Sequence, residues 1–320
     1  MKKSLIALAV LAASGAAMAQ SSVTLYGILD IGYSKATGVK FGQNNGGVSF
    51  HTPSRWGMRG SEDLGGGLRA NFDLQTANND LEIGSNTASA TGFFNREAWV
   101  GLSGGWGSTR IGRTSSVATQ SMAGFDFNGI STSSAMNNVN ISPVTWYGSS
   151  RRSSQFQYAT PNMGGLDAGL GFVTSGDNGT GNPCTANCKS YTQARVNYAN
   201  GPIAAGLTAE TKHAVGQRTA WALAGSYDLG MVKLGAGYVV SPTAALGKGW
   251  HLGAISRFGA NEVGAQFARN STTKDKAFEL FYKYHLSKRT RLYIDAVRVN
   301  YSSVLVPDVT RYGLGVLHAF

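Results

Sequence analysis

Beyond its first nineteen residues the 320-residue chain has no apolar run approaching the roughly 18 consecutive residues that a transmembrane helix requires, so a bilayer could be crossed only by strands. Proline is sparse, at 7 residues, and cysteine is almost missing, at 2. The 5 histidines, His51, His213, His251, His285 and His318, are scattered and sit in no motif with a catalytic partner. A hydrolase would need a nucleophile or activated water converging with a histidine and a carboxylate, so the sequence argues against an enzyme and implies no cofactor. Nor do Asp and Glu gather into a calcium-ligand set.

The N-terminus carries Lys2 and Lys3, an apolar run from Leu5 to Ala13, and the small-x-small triplet Ala17-Met18-Ala19. This pattern marks residues 1–19 as a secretory signal peptide and 20–320 as the mature domain. The formal charge of +11 falls to +9 when Lys2 and Lys3 leave. Such a charge often means nucleic acid, but export argues against that partner; an anionic solute path or contact with lipopolysaccharide fits better. Cys184 and Cys188 lie in Asn182-Pro183-Cys184-Thr185-Ala186-Asn187-Cys188. In an oxidising periplasm they read as a small local disulfide, and no adjacent ligand completes a metal site.

What the chain does have is glycine, 43 residues of it, and 10% aromatics, a mixture suited to many short strands and tight turns. Val23, Leu25, Leu29 and Ile31 alternate with Thr24, Tyr26 and Asp30; Leu68, Ala70, Phe72 and Leu74 alternate with Arg69, Asn71, Asp73 and Gln75; Phe278, Leu280, Tyr282 and Tyr284 alternate with Glu279 and Lys283. Each is a strand with one apolar face. Connections alternate between short turns and long polar loops. Turns are expected near 62–65, 104–105, 161–164, 200–202, 228–230, 258–261 and 286–288, and loops near 35–47, 78–91, 114–149, 175–189, 212–217, 241–249, 270–275 and 300–309. Seven turns and eight loops join about sixteen strands, and a barrel of that size encloses a water-filled channel. The fold expected is all-β, a transmembrane antiparallel barrel in one domain, with tryptophan and tyrosine side chains such as Trp56, Trp99 and Tyr158 placed for interfacial girdles.

The longest connection, 114–149, is Ser/Asn-rich and contains Met122-Ala123-Gly124-Phe125-Asp126-Phe127. On its residues alone it is either folded into the lumen, with Asp126 as its one acidic side chain, or a surface loop. The last strand alternates through Tyr312, Leu314, Val316 and His318 to the terminal Phe320, like an outer-membrane assembly signal. Ser22-Val23-Thr24-Leu25-Tyr26-Gly27, Ser54-Arg55-Trp56-Gly57-Met58-Arg59-Gly60, Glu62-Asp63-Leu64-Gly65-Gly66-Gly67-Leu68, Asn95-Arg96-Glu97-Ala98-Trp99-Val100-Gly101-Leu102, Gly112-Arg113 and Leu286-Ser287-Lys288-Arg289-Thr290 follow in order. Together they give the chain a resemblance, over essentially the whole mature length, to the general porins of β-proteobacteria.

That resemblance implies a Gram-negative outer-membrane homotrimer of sixteen-stranded barrels, with the third loop folded inward against a wall of arginines. Carried over by motif, those arginines are Arg55, Arg96 and Arg151 or Arg152. Parity supports Arg55 and adds Arg59, because Trp56 and Met58 form the apolar face of their strand. Phe156 and Tyr158 share parity with Arg152, which favours Arg151 for the lumen. Guanidinium groups stay charged at any working pH, and a narrow aperture focuses their field on passing ions. The function implied is an anion-preferring diffusion channel for small hydrophilic solutes. Two alternatives stand beside it: arginines that merely pair with Glu97 or Asp126, and a surface receptor or adhesin whose pore is incidental.

Overall fold

The computed structural model describes residues 22–38, 46–77, 93–148, 150–174, 189–212 and 214–320. Residues 1–19, expected to be a signal peptide, and both cysteines, Cys184 and Cys188, lie outside the described residues.

Seventeen strands form one antiparallel sheet. In chain order they are β1 (Ser22–Thr37), β2 (Gly46–Ser49), β3 (Arg55–Gly65), β4 (Leu68–Ala77), β5 (Glu97–Gly104), β6 (Gly107–Ser115), β7 (Arg151–Ala159), β8 (Leu166–Val173), β9 (Tyr191–Asn200), β10 (Ile203–Glu210), β11 (Ala220–Asp228), β12 (Val232–Val240), β13 (Lys248–Phe258), β14 (Asn261–Asn270), β15 (Lys276–His285), β16 (Thr290–Asn300) and β17 (Val309–Ala319). β2 and β3 both pair with β1, through Gly32↔Ser49 and Ile28↔Arg55, and are one strand interrupted at Phe50–Ser54. The barrel therefore has sixteen crossing strands, the expected even count.

Closure is made by β1 on β17, from Ile28↔Ala319 to Thr37↔Thr310. In hydrocarbon each unpaired backbone group costs several kcal/mol, so the first and last strands must meet. Phe320 secures the seam: its carbonyl accepts from Gly27 N at 3.0 Å, its N donates to Gly27 O at 3.1 Å, and its ring occupies the space a Cβ on Gly27 would need.

The alternating faces read from sequence are the outer and inner faces of this wall. Val23, Leu25, Phe278 and Leu280 are exposed on the outside, whereas Asp30, Glu279 and Lys283 are buried inside. The short turns fall where expected, for example at Gly65-Gly66-Gly67, where all three residues have positive φ that glycine adopts without strain.

Between β6 and β7 the long third loop turns into the lumen. It carries helix α1 (Val117–Met122), a 3-10 turn at Ala123–Phe125, helix α2 (Ala135–Asn138) and a 3-10 segment at Pro143–Gly148. Ser116 caps α1, its Oγ accepting from Thr119 N at 3.1 Å. α1 packs on β8, β9 and β10, and α2 on β14, β15 and β16, so the helices pack away from the arc of the inner wall that runs from β3 to Arg151 at the start of β7.

Candidate functional site

Four arginines gather on that arc. Arg55 opens β3; its Nη1 donates to Pro53 O at 3.2 Å. Arg96 stands one residue before β5. There its N–H continues the ladder to Gln75 O at 3.0 Å, and its Nε donates to Gln75 Oε1 at 2.7 Å. Arg113 precedes a register shift in β6; its Nε donates to Asn95 O at 2.6 Å and its Nη1 to Ser153 Oγ at 2.7 Å. Arg151 begins β7, its Nε 3.7 Å from Glu97 Oε1. Arg96 lies in the field of Arg151 and Arg55, and Arg151 in that of Arg55 and Arg113. Glu97, which also accepts from Ser115 Oγ at 2.9 Å, is the acid paired within the cluster. Hydrogen bonds thus hold the guanidinium groups in place, and Arg96 and Arg151 lie in the field of that carboxylate.

The opposite arc is built to receive the loop. Positions that would clash with loop side chains are glycine: a Cβ at Gly206 would meet Met122 and Phe125, one at Gly235 or Gly253 would meet Phe127, and one at Gly249 would meet Ile141. Ala118, Met122, Phe125, Val144 and Trp146 form an apolar cluster with wall residues Ala220, Ala222, Ala224 and Val239. Buried amides and carboxylates supply the polar anchors. Gln193 Oε1 accepts from Val117 N at 2.8 Å, Gln266 Oε1 from Phe127 N at 3.0 Å, and Glu279 Oε2 from Ala135 N at 3.0 Å. Ser133 donates to Asp295 Oδ1 at 2.6 Å, and His51 Nε2 stands 3.0 Å from Asn128 Oδ1.

Asp126 belongs to this anchoring network and not to the aperture. It is 3% exposed. Ser134 Oγ donates to its Oδ2 at 2.5 Å, and Gln266 Nε2 to its Oδ1 at 2.9 Å. Burial pushes its carboxyl above the usual range, opposed by the hydrogen bonds from Ser134, Gln266 and the Asn128 N–H. Asp126, the acidic side chain expected in the inward loop, thus turns its carboxylate into the wall.

The structure brings Arg55, Arg96 and Arg151 together and separates the other two arginines from them. Arg152 is buried beneath the loop, donating to Trp146 O at 2.6 Å, with Nη2 3.7 Å from Glu210 Oε2. Simple parity puts it outside with Phe156. Ser154, at φ 48, and the shift between Gly112 and Thr114 break the alternation and turn it inward. Arg59 does face the lumen, but four residues along β3 toward the Gly65 turn, with its guanidinium 4.9 Å from the centroid of Tyr26. Sequence reasoning missed Arg113, His51, Gln266 and Glu279 as site residues. Glu279 was legible as inward-facing in β15, but its partner in the loop was not.

A family profile for the Gram-negative porin matches residues 5–303. Outer membrane porin protein 32 of Delftia acidovorans is 36% identical over 92% of this chain and 88% of its own length. An outer membrane porin protein of Bordetella pertussis is 31% identical over the full length of both. Among solved structures, the anion-selective porin from Comamonas acidovorans superposes with a TM-score of 0.74 at 29% identity, covering 94% of this chain and all of that one. With its closed sixteen-stranded wall, inward third loop and full-length relatives, the chain belongs to the Gram-negative porin family.

Proposed function

We propose that this outer-membrane porin is an anion-preferring diffusion channel for small hydrophilic solutes. The observation that carries the reading is the cluster of Arg55, Arg96, Arg113 and Arg151 on the wall away from the third loop's helices, with Glu97 as its paired acid. A unit charge about 4 Å from a passing ion is worth roughly 1 kcal/mol even under water-like screening. Several acting together draw in anions and repel cations by more than thermal energy. The Comamonas neighbour, itself an anion-selective porin, supports the same direction.

In this reading residues 1–19 are removed on export, three copies assemble in contact with outer-membrane lipid and lipopolysaccharide, and nucleic acid is no partner. No bond is made or broken, since a guanidinium field acts by attraction alone. Exit requires that solute binding stay weak, which arginines spread along a wall provide. The test is the reversal potential of the purified protein in a planar bilayer under a KCl gradient, with Arg55→Ala and Arg96→Ala beside it. Chloride preference that weakens in the variants is the expected result; cation preference in the parent protein would overturn the reading.

A further inference from the structure

Toward the short-turn end from the arginine cluster, β1, β3, β4, β5 and β6 enclose a recess of about 440 Å³ in the inner wall. Two guanidinium groups border it, each backed by an aromatic ring: Arg59 lies 4.9 Å from the centroid of Tyr26, and Arg110 lies 4.6 Å from that of Trp99. A cation over a ring face is held there by the ring quadrupole while its N–H donors remain able to bond a ligand. Among the described residues neither the Arg59 nor the Arg110 side chain makes a hydrogen bond or an ion pair. This separates them from Arg96 and Arg113, whose donors are engaged by the wall.

The acid of the recess is Asp73, paired in register with Arg59 on one side and Trp99 on the other. It lies in the field of both Arg59 and Arg110 yet bridges to neither. Its Oδ1 accepts from Tyr26 OH at 2.5 Å, and Tyr26 OH in turn accepts from Gln75 Nε2 at 2.9 Å. The remaining border is rich in hydroxyl groups, Thr24 and Ser103 among them, with the amide of Asn71. The lining therefore offers two planar cations, one anionic acceptor and a rim of neutral hydrogen-bonding groups.

An inorganic anion would satisfy the arginines and be repelled by Asp73. A carboxylate that also carries hydroxyl groups satisfies both, accepting from Arg59 and Arg110 while donating to Asp73. We propose that this recess is a binding site for small hydroxylated carboxylates of the sugar-acid class, distinct from the arginine cluster and lying beyond it in the pore. The site rests on the anion-channel reading only in that its ligand arrives through the lumen.

Potassium gluconate, with potassium acetate as the unhydroxylated control, tests this in two ways. In planar bilayers, saturation of gluconate current is expected at a concentration about tenfold below that for acetate, the scale of one hydrogen bond to a charged group. Arg59→Gln with Arg110→Gln should raise the gluconate half-saturation about tenfold or more. Asp73→Asn should tighten acetate, by removing a negative charge, but not gluconate, so that the two converge. Equal saturation by both anions in the parent protein, or an Asp73→Asn variant that tightens both alike, overturns the proposal. Calorimetric titration of gluconate into the detergent-solubilised barrel separates the site from the channel reading. Heat of binding lost in the double arginine variant supports the site even where chloride preference fails, and chloride preference without any gluconate binding leaves the channel and removes the site.

Discussion

The two arcs of the inner wall solve opposite problems with the same strand geometry. From β3 to β7 the lumen side bears large cationic side chains: Arg55, Arg59, Arg110, Arg113 and Arg151, with Arg96 at the edge of β5. From β8 to β16 it bears glycine, alanine and buried polar groups that receive the third loop, and several of its charges stand in ion pairs. Lys283 stands 3.0 Å from Glu262, Arg257 2.7 Å from the same carboxylate, Arg195 pairs with Asp167, and Glu210 of β10 stands 3.7 Å from Arg152, which reaches it from β7 beneath the loop. A charge neutralised in the wall holds structure; one held by neutral hydrogen bonds projects its field into water. The arcs thus differ in arginine content as well as in pairing, Arg151 and Glu97 forming a pair on the bare arc.

If that contrast is right, the largest effect comes from the bare arc. Arg55→Ala with Arg96→Ala should lower the chloride-to-potassium permeability ratio about tenfold, an amount equivalent to ~1.4 kcal/mol, as read from reversal potentials; a ratio unchanged in the double variant would break the comparison. On the paved arc, Gly235→Leu would drive a side chain into Phe127. The expected cost is about 1–3 kcal/mol of overpacking, seen as a lower melting temperature together with a larger single-channel conductance as the loop lifts. Selectivity should change less than in the arginine variants.

A smaller, pH-dependent effect follows from Asp126. Its carboxyl is raised in the folded protein, so the protonated form is favoured in the docked loop. That contribution is complete below the ordinary carboxylate range and is lost as pH climbs through the raised value. The melting temperature of the parent protein relative to Asp126→Asn should therefore decline from acid to alkaline solution; a relative rise would contradict the assignment. The smallest effect is expected at Arg257, whose side chain is 68% exposed. Arg257→Gln leaves Glu262 with Lys283, so stability should move by no more than ~1 kcal/mol and the permeability ratio should stay put.

Much of the wall was legible because period-2 alternation is a local property. The faces of β1, β4 and β15 and all seven short turns needed no tertiary information, and Arg55 followed from the apolar parity of Trp56 and Met58. Arg152 was misplaced because one left-handed residue, Ser154, resets parity, and serine gives no sign of that in sequence. Asp126 could be placed in the loop but its partner could not, because Gln266 is 140 residues away. Parity also assigned Arg59 to the lumen without its height along the pore, which is why the recess it shares with Arg110 stayed invisible. The glycines read as strand and turn residues have a second use that no pattern announces: several are the sockets of the loop.

The interruption at Phe50–Ser54 has a consequence for how the protein comes to exist. Thr132 of the loop bonds to His51 O at 3.0 Å, while Ser133 reaches Asp295, and Tyr293 OH donates across the seam to Asp30 at 2.7 Å. The loop is therefore tied at once to the segment that precedes β3 and to β16, with Ser133 reaching across 162 residues to Asp295 and Tyr293 across 263 to Asp30. Such contacts form late, after the entropy of joining distant segments has been met. By that ordering the filter is expected to mature only once the first and last strands have paired.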